Sequence, residues 1–255
     1  MKANKRFIAI FISLVLFLAI PINAAALGEE IMLNNGYKDK GVTKIIDVPY
    51  ISQNEILYGC EAVSSTMLLR YYGFYIDEND FTNNYLIKKD WHYGSDGKMY
   101  GPDPNAAFAG NPYLCSGINC GFGCFAAATA KSINKVLDNN YYTAKAIKGF
   151  DLDYLITNYI DKNQPVLVWA TMDMLESRLT CSWIIDYVDE NSSYKIGDTY
   201  TWRAGEHCLV LVGYDDDNYY FNDPYKSHGL IAYKKDLVRQ RYNEMGKQSV
   251  AMMVV

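Results

Sequence analysis

The apolar residues of this chain follow a helical period in its first half and strand-like runs in its second. Ala62, Val63, Met67, Leu68 and Tyr71 recur at helical spacing, and Gly73 stands where a helix would close. Residues 77–89 carry acids in the first turn and lysines in the last, which suits a helix dipole and predicts a second helix. Residues 125–137 and 152–161 predict two more. Asn163, Gln164 and Pro165 then break into an apolar run, and strands are predicted at 166–171, 181–188, 207–214, 218–223, 229–233 and 248–254. A short helix over 235–244 precedes the last of them. Ahead of the first helix, residues 45–51 alternate moderately and predict a short strand that ends near Gln53. Helices first and antiparallel strands afterwards predict an α+β fold, a helical half packed against a sheet. Residues 90–122 follow neither period. They are rich in Gly, Pro and Asn, and so long a structureless stretch is expected to be functional or mobile.

The chain before residue 44 stands apart from this pattern. Lys2, Lys5 and Arg6 precede the unbroken apolar run 7–20, and Ala24, Ala25 and Ala26 follow it, the order of a secretory signal over residues 1–26. The run is shorter than the roughly 20 apolar residues of a spanning helix, so export without a stable membrane anchor is expected. Residues 27–43 are polar and read as a flexible lead-in, and residues 44–255 as one domain that works as a monomer. The formal charge of −5 becomes −8 once the three cations of the leader are removed. That disfavours nucleic acid or an anionic surface as a partner. The 23 tyrosines suit a groove for peptide or sugar, although alternation in and out of a sheet explains most of them.

Candidate chemistry centres on Cys60, at or just before the first turn of the first helix. Unpaired amides and the helix dipole there favour a thiolate over a thiol. Seven residues earlier, Gln53 offers a side-chain amide to an oxyanion. A buried structural cysteine accounts for this stretch equally well. The downstream residues change the balance: His207 opens one predicted strand and Asp223 closes the next, so an antiparallel pair makes them neighbours, as a base and its orienting carboxylate. Asn222 is the rival to Asp223, since only one of two adjacent side chains faces His207. His92 and His228 rank below His207 as bases, being placed in a loop and a turn. Asp215, Asp216 and Asp217 invite calcium, but Asp-Asn at a strand junction is ordinary turn chemistry. Cys115 and Cys120 bracket a loop that a disulfide would close, and free thiols or a disulfide suit Cys115, Cys120 and Cys124 better than zinc. Cys208 should face the core, and five cysteines besides Cys60 leave at least one unpaired. Neither a metal nor a cofactor is expected.

The segments D-V-P-Y-I-S-Q, G-C-E-A-V-S-S-T-M-L-L, G-P-D-P-N-A-A-F-A-G-N-P and G-E-H-C-L-V-L-V-G-Y-D-D-D, with N-D-P after the last, resemble the standalone relatives of the bacteriocin-processing, double-glycine cysteine peptidases. The resemblance runs from about Ile46 to the C-terminus. It implies a papain-like fold, with Cys60 as nucleophile, His207 as base, Asp223 as its orienter and Gln53 as oxyanion donor. Tyr58, Gly59 and Trp169 are the expected substrate contacts, and residues 90–122 a wall of the cleft. No ATPase or transporter segment follows, so cleavage of a leader peptide during export is not implied. The expected activity is that of a secreted thiol hydrolase acting on a peptide or protein, which includes cell-wall peptide. A non-catalytic peptide- or glycan-binding module, or a cell-wall amidase or acyltransferase, are the alternatives.

Overall fold

The computed structural model describes residues 42–138, 141–190, 192–225 and 228–255. The expected signal over 1–26, and the expected lead-in up to residue 41, lie outside them. Strand β1 (Val42–Ile45) comes first, starting before the predicted domain boundary and ending where the predicted strand 45–51 was to begin. Helix α1 (Cys60–Tyr71) starts at the cysteine itself. Its residues from Cys60 to Leu69 are all buried, including Glu61, Ser64, Ser65 and Thr66. Hydroxyls bound to backbone make this tolerable: Ser64 donates to the Cys208 carbonyl at 2.9 Å and Thr66 to that of Ala62 at 2.9 Å. The helix closes in a Schellman motif, with Gly73 at φ +86°, Phe74 N–H donating to the Leu69 carbonyl and Gly73 N–H to that of Arg70.

The helix predicted over 77–89 is not continuous. Asp77 caps α2 (Glu78–Asp80), a wider π turn follows over Phe81–Tyr85, and the lysines leave the helix as strand β2 (Lys88–Lys89). Thr82, Asn83 and Asn84 are weak helix formers, and Ser132 accepts the Ile87 N–H at 3.0 Å in place of a helical carbonyl. Lys88 still meets that turn, donating to the Thr82 carbonyl from the strand.

Nor is the 90–122 segment structureless. It contains β3 (His92–Tyr93), β4 (Met99–Pro102) and β5 (Phe108–Ala109). Strand β4 runs parallel to β8 (Arg178–Tyr187), which pairs with β9 (Thr199–Ala204), giving a four-stranded sheet in the order β3-β4-β8-β9. Trp183 donates its indole N–H to the Pro102 carbonyl, and Trp91 donates to that of Cys120, so two tryptophans pin the segment down. Gly110 is required here: at φ +88°, an added Cβ would lie 2.2 Å from the Cys120 carbonyl oxygen.

The larger sheet has seven strands. Helices α3 (Ala126–Leu137) and α4 (Leu152–Asn158) flank β6 (Tyr142–Lys148), a strand absent from the sequence reading. The core strands are β7 (Val166–Thr171) and β10 (Glu206–Asp215), joined by β11 (Asn218–Asp223) and β12 (Gly229–Lys234). Helix α5 (Lys235–Glu244) leads into β13 (Gln248–Val254). All pairings are antiparallel, in the order β12-β11-β10-β7-β13-β6, with β1 also on β10. Every residue of β7 is buried, as a strand covered on both faces requires, and α1 packs against β10 and β7. Among the described residues no helix is long and apolar enough to cross a membrane.

Candidate active site

Gly59 caps α1 because nothing larger fits: an added Cβ would come within 2.3 Å of the Ile56 side chain. Cys60 follows as the first helical residue, packed against β10. Its sulfur accepts the Cys208 N–H at 3.4 Å, and its thiol faces Glu61 Oε2 at 3.3 Å. His207, next to Cys208 on β10, carries Nε2 at 2.6 Å from Asp223 Oδ1 on the neighbouring strand. With Nε2 engaged, Nδ1 is the ring nitrogen left for other work. Cys60, His207 and Gln53 all line one cleft of about 740 Å³.

Asp223 is held from four sides. Oδ1 also accepts the Tyr225 N–H at 2.9 Å, while Oδ2 meets His228 Nδ1 at 3.3 Å and the Tyr233 hydroxyl at 3.2 Å. Burial by itself would raise this carboxyl, but the contacts with His207, Tyr225 and His228 outweigh it and hold Asp223 below its ordinary value. Asn222 points away and donates to the Val48 carbonyl at 2.8 Å, so the strand register selects the aspartate. His228, the rival base, contacts this carboxylate from outside the cleft lining. His92 is exposed and stacks on Tyr100.

Gln53 is fixed through its backbone, whose N–H donates to the Pro224 carbonyl at 3.0 Å. Its Nε2 donates to the Leu57 carbonyl at 3.2 Å, which leaves a second N–H on that nitrogen, and its Oε1 is buried without a partner. Of the expected substrate contacts, Tyr58 lines the cleft. Trp169 does not: it is fully buried in β7 and donates its indole N–H to the Cys124 carbonyl. Gly59 is buried as the helix cap rather than lining the cleft.

The surroundings of Cys60 work against the ionisation that a helix terminus favours. Burial pushes the Cys60 thiol well above its ordinary range, Glu61, Glu206 and Cys208 add to the rise, and only the Cys208 amide opposes it. These contributions favour the protonated thiol. Glu61, fully buried, is pushed by burial from 4.5 up to about 7, although Cys124 N–H donates to its Oε1 at 2.6 Å. Glu206 is raised by burial and by Glu61. Neither carboxylate figured in the sequence reading. The available signal was an acid directly after the candidate nucleophile and another directly before the candidate base, at the starts of α1 and β10.

All six cysteines are free thiols, with Cys115 and Cys120 on the cleft wall and Cys208 in the core. The Asp215 carboxylate accepts the Asp217 and Asn218 N–H groups and the Asn218 amide, which is turn chemistry.

Residues 45–250 match the sequence profile of the Peptidase_C39 like family. The uncharacterised protein YvpB of Bacillus subtilis (strain 168) is 28% identical over 223 residues, covering 84% of this chain and 77% of that protein. A crystal structure of a candidate C39-like peptidase from Bacillus anthracis is similar with a TM-score of 0.68 and 26% identity, covering 83% of this chain and 98% of its own. A double glycine motif protease from an AMS/PCAT transporter, solved with its leader peptide, gives a TM-score of 0.45 at 15% identity over 84% of this chain and 96% of that chain.

Proposed function

The chain belongs to the Peptidase_C39 like family, and from that premise we propose that it is a secreted cysteine peptidase whose nucleophile is Cys60. The observation that carries this reading is the 2.6 Å contact of His207 Nε2 with Asp223, in a histidine that shares its cleft with Cys60. His207 Nδ1 takes the thiol proton as the sulfur attacks a carbonyl carbon. Burial and the neighbouring acids favour the thiol over the thiolate, so the general base is needed to release the nucleophile. The Cys60 backbone N–H and the second N–H of Gln53 stabilise the tetrahedral oxygen, His207 returns its proton to the leaving amine, and water releases the acyl group. Acid–base transfer contributes on the order of 10²–10⁴-fold and one oxyanion donor on the order of 10²–10³-fold.

The substrate is a peptide or protein segment bearing apolar side chains, which includes cell-wall peptide. Tyr58, Phe122, Met172, Leu175 and Trp202 on the cleft wall support this choice. Residues 1–26 export the chain. The decisive experiment incubates the protein with a secretome or wall extract, traps the acyl group on Cys60 and sequences it, with Cys60→Ala as control. Full activity in Cys60→Ala overturns the assignment, and an N-terminal sequence of the protein recovered from culture medium tests export.

A binding module on the same scaffold is the second reading, favoured by the raised thiol of Cys60. Turnover of any trapped peptide excludes it.

A further inference from the structure

Glu61 and Glu206 have no part in the reaction above, yet each is next in sequence to a residue that does. Both are buried, Glu61 completely and Glu206 with 8% exposure. Glu206 Oε1 is sealed from solvent with no hydrogen-bond partner, an expensive state for a carboxylate oxygen. One ligand atom from each of Cys60, Glu61 and Glu206 lies within 4.8 Å of the other two. The backbone opposite makes room for the convergence. Gly123 sits at φ +149°, and a Cβ on it would meet Glu61 Oε1 at 2.7 Å and Glu206 Oε2 at 2.8 Å.

Without a cation, two buried carboxylates this close resist ionising together. A divalent ion reverses that preference by supplying the positive charge that the pocket lacks. A sulfur with two carboxylate oxygens suits a borderline-soft ion, zinc, rather than calcium or magnesium, which take oxygen alone. Three protein ligands with the cleft beside them leave a position for water, and Cys60 lines that cleft, so an ion has a way in.

We propose that Cys60, Glu61 and Glu206 form a zinc site that holds the protein inactive until the metal is withdrawn. Binding forms a zinc–sulfur bond at Cys60 Sγ and a zinc–oxygen bond at each glutamate. The thiol proton, and any proton the carboxyl pair holds, goes to solvent, and no electrons move. The nucleophile is then occupied while His207 keeps its place on Asp223. The inhibitory role rests on the peptidase reading, but the site itself does not.

The test titrates the protein with Zn²⁺ and, as a spectroscopic probe, Co²⁺, and measures protection of Cys60 from iodoacetamide. Expected are a near-ultraviolet thiolate-to-cobalt band, loss of binding in Cys60→Ala, and weakening of at least about tenfold in Glu61→Gln and in Glu206→Gln. His207→Ala should bind zinc as the parent does. Parent-like affinity in both glutamine variants, or loss of binding in His207→Ala, would mean a Cys–His site instead and overturn the inference. Should a glutamine variant fail to fold, the parent's cobalt spectrum decides, since absence of the thiolate band is sufficient refutation. Binding is read without turnover, so an inactive chain that binds zinc sinks only the peptidase reading, and an active chain indifferent to zinc sinks only this one.

Discussion

His207 Nε2 and Asp223 Oδ1 lie 2.6 Å apart, one residue at the start of β10 and the other at the end of β11. The pairing of Val210 with Asn222 across these strands brings the two ends together. It also turns Asn222 to the far side, where it serves the Val48 carbonyl. The adjacent residues therefore have separable roles. Asp223→Asn should lower kcat by roughly 10²–10⁴-fold with the fold intact, because an amide cannot stabilise the imidazolium. Asn222→Ala should leave kcat near the parent's and cost about 1–3 kcal/mol of stability through an unsatisfied buried carbonyl. Kinetics and urea titration of both variants check this, and a crippled Asn222→Ala beside a healthy Asp223→Asn would refute the assignment.

Gln53 is the next residue whose role can be isolated. Its backbone contact with Pro224 survives truncation, so Gln53→Ala should keep its loop in place. Loss of the side-chain donor should reduce kcat on the order of 10²–10³-fold with little change in KM. A raised KM at unchanged kcat would make Gln53 a substrate contact.

Glu61 gives stability a pH dependence of definite sign. Its carboxyl is raised from 4.5 to about 7 by burial, so between those values the folded protein retains a proton that the unfolded chain releases. Its contribution is most favourable below pH 4.5 and is lost as pH rises through about 7. Relative to Glu61→Gln, the parent should lose on the order of 1–3 kcal/mol across that window. Glu206, raised by burial and by Glu61, leaves the variant with a residual slope of the same sign. Denaturant melts of both proteins at several pH values measure the difference, and parallel profiles would contradict it.

The same carboxylate should be visible at the sulfur. Ionised Glu61 disfavours a neighbouring thiolate, so Cys60 alkylation by iodoacetamide should rise only at pH above that of an ordinary thiol. Glu61→Gln should move that rise to lower pH. An unmoved profile would mean that burial, Glu206 and Cys208 set the reactivity of Cys60 without Glu61.

Most of the sheet was legible because its strands are apolar runs bounded by turn residues; 218–223 and 248–254 were read with the bounds the structure gives them. Strand β6 escaped notice because only Ala144 in it is buried, so it has almost no apolar signature. Strand β9 has one, in Tyr200 and Trp202, but only those two of its residues are buried, and it pairs within the smaller sheet. The 90–122 segment was opaque for a different reason. Its strand β4 is completed by β8, more than 80 residues away, and no local pattern records a parallel partner at that distance. At the site, Cys60, His207 and Asp223 could be placed from element ends alone. What could not be read was the company they keep: burial, Glu61 and Glu206 push the thiol of Cys60 upward, and all three depend on tertiary packing.

The strap between Gln53 N–H and the Pro224 carbonyl has a kinetic meaning as well. Together with the Cys208 N–H on the Cys60 sulfur, it joins residues separated by well over a hundred positions. Contacts of that span incur their loop-closure entropy before they return any energy, so they are among the slowest to form. The proposed oxyanion donor and base therefore come together only when both ends of the domain have met. A chain whose last strands have yet to be made holds Cys60 without its proposed partners, His207 and Asp223.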